Sequence, residues 1–188
     1  MRFVAIISVT ALLTVALAGC NTSGCLDNQN SLPLAGFYAS ESGEPIALDS
    51  LDIGGVGAVD DSLLVKAGQT VSSVYLPLRS QKEFTEFFIH YAYPALGLDD
   101  PELNDTIGFT YTSEPYFASE ECGAMYRYKV TRLDHTFHLI DSVVLADSLI
   151  TNVDLERLRI YFKVTEMEPD EPEEPDTDED NDNPPAEP

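Results

Sequence analysis

The chain has 188 residues, 33 of them acidic and 10 basic, for a formal net charge of −23. That balance excludes a basic footprint on nucleic acid, because phosphate backbones would repel the surface. The length suffices for one ordinary domain that buries a core without help from metals.

In chain order, residues 1–19 come first: Met1 and Arg2, an apolar run from Phe3 to Leu17, then the small residues Ala18 and Gly19. A short basic start, an apolar run and a small-residue close make a secretory signal, and the run is too brief to span a bilayer. Leu17-Ala18-Gly19-Cys20 resembles the lipobox of bacterial lipoproteins. That resemblance implies diacylglycerol on the Cys20 sulfur, cleavage before Cys20 and acylation of the new amino terminus. Two or three acyl chains anchor a protein stably where one does so only marginally. An ordinary signal peptide with an incidental cysteine is the competing reading. Membrane contact is expected through this lipid rather than through a basic face. Residues 20–32 are polar and read as a lipidated tether.

Residues 33–165 read as the folded body, β-like throughout. "DSLLVKAG" and "SSVYLPLRS" alternate or run apolar over a few residues, bounded by Gly, Ser, Asp or Pro. "EFTEFFIHYAY" is aromatic and β-branched and fits a strand better than a helix. "DTIGFTYTS" places Ile107, Phe109 and Tyr111 on one face, and "CGAMYRYKVTRL" sets Ala124, Tyr126, Tyr128 and Val130 against Met125, Arg127, Lys129 and Thr131. "HLIDSVVLA" and "RLRIYFKVT" follow, the latter with Leu158, Ile160 and Phe162 on one side. Only "NVDLERL", with Asn152 as N-cap, reads as a helical turn. Seven to nine short strands with one wet face per sheet predict an all-β, antiparallel β-sandwich of immunoglobulin-like architecture.

Secretion places this body in an oxidising compartment, where thiols pair when geometry allows. With Cys20 acylated, Cys25 and Cys122 remain, and two is the number one bridge needs. A Cys25–Cys122 disulfide would close a loop of nearly a hundred residues, worth on the order of 4 kcal/mol in chain entropy. Two free buried thiols are the other reading, and a nucleophile lacks a supporting pattern.

Chemistry is sparse. The nucleophile elbow, the phosphate loop and the Cys-x-x-Cys pair are all missing from the sequence. His135 and His138, with Asp134 beside them, are the best metal candidates, yet on a hairpin turn between strands their imidazoles diverge. His90 reads as a half-buried packing residue. Asp60-Asp61, Asp99-Asp100 and Glu120-Glu121 are adjacent carboxylates that point apart and suit turns rather than acid/base work. No catalytic residue, metal site or cofactor is expected. Tyr111, Tyr116, Tyr126, Tyr128 and Tyr161 offer rings that pack, or that stack on sugars or line an interface.

Residues 166–188 read as a disordered acidic tail holding twelve of the 33 acids. The alternation of Asp176, Asp178, Asp180 and Asp182 with a later Glu187 echoes a calcium loop. Asn181 at the turn-glycine position, with Pro184 and Pro185 behind it, argues for a solvated charge run instead.

The ordered series from "DIGGVGAVDDSLLV" through "TYTSEPYFASEECGAMYRY" to Ile160-Tyr161-Phe162 resembles a family of small uncharacterised lipoproteins of Bacteroidetes, a domain of unknown function. The resemblance implies a Gram-negative envelope lipoprotein and brings no catalytic residue with it. "CNTSG" lacks the acidic pair associated with surface export in those bacteria, which favours the periplasm-facing side of the outer membrane. The expected function is non-enzymatic binding of an envelope protein partner; the alternative is a carbohydrate-binding accessory module presenting tyrosines.

Overall fold

Alternation at period two builds the body. In the computed structural model, which describes residues 30–59, 62–93 and 97–164, the described strands are β1 (Leu34–Ala39), β2 (Leu51–Gly55), β3 (Leu63–Val65), β4 (Ser73–Tyr75), β5 (Phe84–Tyr91), β6 (Asp105–Ser119), β7 (Gly123–His135), β8 (Ile140–Leu145), β9 (Leu149–Ile150) and β10 (Glu156–Phe162). They form two sheets, ordered β4-β1-β10-β8 and β3-β2-β5-β6-β7-β9. The sheets pack face to face around one core, as a β-sandwich. Phe87, Ile89, Ile107, Phe109 and Tyr111 look inward from the larger sheet, and Phe37, Leu158, Ile160 and Phe162 meet them from the smaller. Each such side chain removed from water contributes about 1.5–3 kcal/mol. The core rings meet edge to face, Phe37 on Phe162 at 5.4 Å and Phe87 on Phe109 at 6.0 Å, the arrangement their quadrupoles favour.

Strand pairing is antiparallel except between β1 and β10, which run parallel with Phe37 opposite Ile160 and Ala39 opposite Phe162. The first and last strands therefore share a direction. The chain enters the body at Asn30 at one end of the sandwich and leaves through Val164 at the other.

The all-β sandwich is as expected; with β3, β4 and β9 counted at two or three residues each, the described strands number ten against about seven to nine read from sequence. Three sequence readings change. "NVDLERL" is not a helical turn: residues 152–153 form a bend and Glu156–Phe162 is a strand. Asn152 binds the Tyr116 hydroxyl instead of capping, receiving its proton on Oδ1 at 2.7 Å while its own backbone N–H donates back at 3.1 Å. The loop carrying His138 is not a hairpin turn, since β7 and β8 belong to different sheets and the chain crosses between them there. In β7, Tyr128 and Val130 are buried as expected, but Tyr126 is exposed and Met125 is buried on the opposite face. Tyr126 is exposed because β7 there outruns its neighbouring strand and the core.

Candidate functional site

β6 and β7, at 15 and 13 residues, are longer than the strands beside them. β5 pairs only with Asp105–Thr110 of β6, and β9 only with Tyr128 and Lys129 of β7. Beyond those limits the two strands continue as a two-stranded arm that closes at Gly123, whose φ of 72° is the left-handed geometry a tight return requires. The inward face of β6 carries on past Tyr111 as Pro115 and Phe117, paired across the arm with Tyr126 and Ala124. Here the core stripe loses its cover. Phe117 is 68% exposed and Tyr126 44%.

The covered base of the arm grips the β4–β5 connection. Tyr111 Oη donates to the Arg79 carbonyl at 2.9 Å and accepts from the Arg79 N–H at 2.9 Å, leaving Thr85 Oγ1 as its second donor at 2.7 Å. Ser113 Oγ donates to the Ser80 carbonyl at 2.7 Å, and Tyr128 Oη to that of Leu78 at 3.3 Å. Burial raises the Tyr128 hydroxyl above the usual phenol range, so it stays a donor. Between this fastened loop and the arm lies a cleft of about 710 Å³, with Leu78 and Tyr128 deep in it, Arg79, Lys82 and Tyr126 on its walls, and Asn30 at the chain's entry. Its lining mixes an aromatic and aliphatic floor with cationic and amide groups. Such a surface suits a ligand or chain with both apolar and anionic parts.

A second apolar surface lies on the solvent face of the larger sheet. Phe88 lies over Gly54, where a Cβ would sit 2.7 Å from the ring, and Phe84 lies over Gly108, where it would sit 3.1 Å away. Leu63 on edge strand β3 flanks Phe88. Phe84 remains 50% exposed. By contrast the outer face of the smaller sheet satisfies itself: Tyr38 stacks beside Tyr161 at 5.5 Å and under Arg159 at 5.4 Å, and Glu156 accepts from both Tyr38 and Arg159 at 2.8 Å. Of the five tyrosines singled out from sequence, Tyr111 and Tyr128 are core, Tyr116 is held by Asn152 and Tyr161 by this cluster. Tyr126 alone of those five presents an open ring to the cleft.

The histidines gather at the far end of the sandwich, around a buried aspartate that sequence reasoning passed over. Asp105 has no exposed surface and accepts from Tyr91 Oη and Thr136 Oγ1 at 2.6 Å each, from the His138 N–H at 2.9 Å, and from the Leu139 and Ile140 N–H groups at 2.8 Å. Burial pulls its carboxyl upward, and the hydrogen bonds outweigh that and hold it below the usual range. His90 bonds Asn104 Oδ1 at 2.9 Å and Asp99 at 3.2 Å, half-buried with local partners as the sequence suggested. His138 Nδ1 bonds the Asn104 carbonyl at 2.8 Å, whereas His135 stacks on Phe137 at 4.4 Å, so the two imidazoles serve different neighbours. Among the described residues no group of three or more His, Cys, Asp or Glu is placed to hold a metal ion. Asp100 caps a 3-10 turn over Pro101–Leu103, the turn-forming role its composition implied.

Cys122 lies half-buried in the turn at the arm's tip, its N–H donating to Ser119 Oγ at 3.0 Å and its sulfur 3.9 Å from the Asn152 side-chain nitrogen. Cys20, Cys25, the signal segment, Asp60-Asp61 and the acidic tail with its calcium-loop echo lie outside the described residues.

A family model described as a family of unknown function, DUF6452, matches residues 50–162, from the start of β2 to the end of β10. No curated protein matches the chain. No solved structure matches it either.

Proposed function

The chain belongs to this family of unknown function, so its role must be argued from its own residues, and we propose that it is a lipid-anchored lipoprotein of the outer membrane that binds another envelope protein without catalysing a reaction. The lipobox-like Leu17-Ala18-Gly19-Cys20 supports the anchor, and the resemblance to Bacteroidetes lipoproteins supports a Gram-negative envelope, facing the periplasm. Cys25 pairs with Cys122 in this reading; supporting it, they are the two cysteines left once Cys20 carries the lipid, in a compartment where thiols pair.

The observation that carries the binding role is the aromatic platform on the larger sheet's solvent face. Phe84 and Phe88 occupy positions where alternation calls for polar residues, and the two glycines leave room for their rings to approach the sheet closely. A flat apolar surface beside an edge strand fits a protein partner rather than a small substrate. The test is a photo-crosslinking residue at Phe84 in the native envelope, followed by mass spectrometry. One protein captured from Phe84, and no longer co-purifying with a Phe84→Glu variant, supports the reading. The same proteins captured from Phe84 and from exposed Val144 on the other sheet contradict it.

A second reading, a carbohydrate-binding module, is favoured by one observation, the open Tyr126 ring beside Gln81 and Lys82 in the cleft. Retention on a glycan array, abolished by Tyr126→Ala and untouched by Phe84→Glu, would select it.

A further inference from the structure

We propose that the β6–β7 arm is the membrane-facing end of the molecule, its uncovered apolar face lying against the headgroup–acyl boundary of the leaflet that holds the Cys20 lipid. This rests on the lipidation and the Cys25–Cys122 bridge of the preceding reading. Five residue steps from Cys20 to Cys25 span at most about 18 Å, and a disulfide adds about 6 Å between Cα atoms, so the bridge holds the arm's tip within about 24 Å of the anchor. The described chain begins at Asn30, which lines the cleft beneath the same arm. Chain entry, tip cysteine and apolar face thus share one end of the sandwich.

The chemistry of that end fits a lipid boundary. Phe117 and Tyr126 are an apolar ring and an amphipathic one, the residue types that settle at headgroup level. Lys82 stands on the facing wall of the cleft, where its ammonium can meet lipid phosphates, while the Arg79 guanidinium turns to the Gly57 carbonyl at 3.4 Å. Glu120 and Glu121, in the turn itself, keep the extreme tip in water. Contact is therefore sidelong and shallow, through the face bearing Phe117 rather than through the turn. The parallel pairing of β1 with β10 puts Val164 at the opposite end of the sandwich, away from the proposed contact.

The sequence contains no tryptophan, which makes single-tryptophan variants clean reporters. Phe117→Trp and Phe137→Trp are matched, since the native rings are 68% and 65% exposed and flank the two ends of β7, about 40 Å apart at strand rise. Each variant is prepared as full lipidated protein in phosphatidylethanolamine–phosphatidylglycerol vesicles containing brominated phosphatidylcholine. Intact mass and co-sedimentation establish acylation and the bridge first. The expected result is a blue-shifted, at least two-fold quenched emission from Phe117→Trp, with Phe137→Trp unchanged. Loss of that quenching on adding Cys25→Ser, with the lipid retained, ties it to the bridge. An acylated, bridged protein in which neither variant or only Phe137→Trp is quenched overturns the orientation alone. A protein that carries no lipid or no bridge overturns the preceding reading and this inference together.

Discussion

Asp105 shows how much one residue can organise when a sheet ends. Its carboxylate collects the N–H groups of His138, Leu139 and Ile140, the three residues that carry the chain from the larger sheet into β8 of the smaller. Asp105→Asn keeps the size but replaces one acceptor oxygen with a donor facing N–H groups that already donate. A loss of about 2–4 kcal/mol is expected in chemical denaturation. Since the folded carboxyl titrates below its unfolded value of about 3.9, its contribution is complete above that value. As pH falls through the folded value the contribution is lost, so the stability gap between native and Asp105→Asn should narrow below about pH 4. A gap that stays constant from pH 7 to pH 3 would mean the carboxylate charge is not what holds the crossover. Sequence gave no sign of this residue. Its partners lie 14 to 35 positions away, and an Asp before an alternating run reads equally well as a turn former.

At the scale of elements, what was legible is what periodicity controls. Ile107, Phe109 and Tyr111 in β6, and Leu158, Ile160 and Phe162 in β10, point inward as alternation demands, because each lies mid-sheet where one face is dry. Alternation stopped being a guide where a strand outran its neighbours, so Tyr126 and Met125 exchanged their expected burial on the arm. Asn152 failed as a helix cap because a short polar side chain that suits an N-cap equally suits a hydrogen bond to a distant hydroxyl. The platform was hidden for a related reason: glycines 54 and 108 meet Phe88 and Phe84 only across strand register. Gly54→Val should therefore displace the Phe88 ring and cost about 1–3 kcal/mol, read as a lower denaturation midpoint. Tyr111→Phe removes a hydroxyl shared by Arg79 and Thr85 and should cost about 1–3 kcal/mol. It should also speed amide exchange at Arg79 while leaving the Asp105 end protected. Equal loosening at both ends would show that the cleft loop is not fastened locally.

The molecule as a whole has two opposed ends: an arm and chain entry at one, a polar crossover and the end of the described chain at the other. In the proposed orientation the membrane-facing end is set by the tether, and so by three cysteines, of which Cys122 lies in a described element's turn. Reduction of the proposed bridge should lower unfolding free energy by about 4 kcal/mol, as release of so long a loop implies, without unfolding a core drawn from both sheets. The central claim is tested most directly by intact and peptide mass spectrometry, under non-reducing conditions, of the protein purified from its native envelope. The account predicts a chain that begins at an acylated Cys20 and yields one linked peptide pair joining Cys25 to Cys122. A chain that retains Met1 or begins without lipid, or one whose Cys25 and Cys122 both alkylate freely, would contradict it.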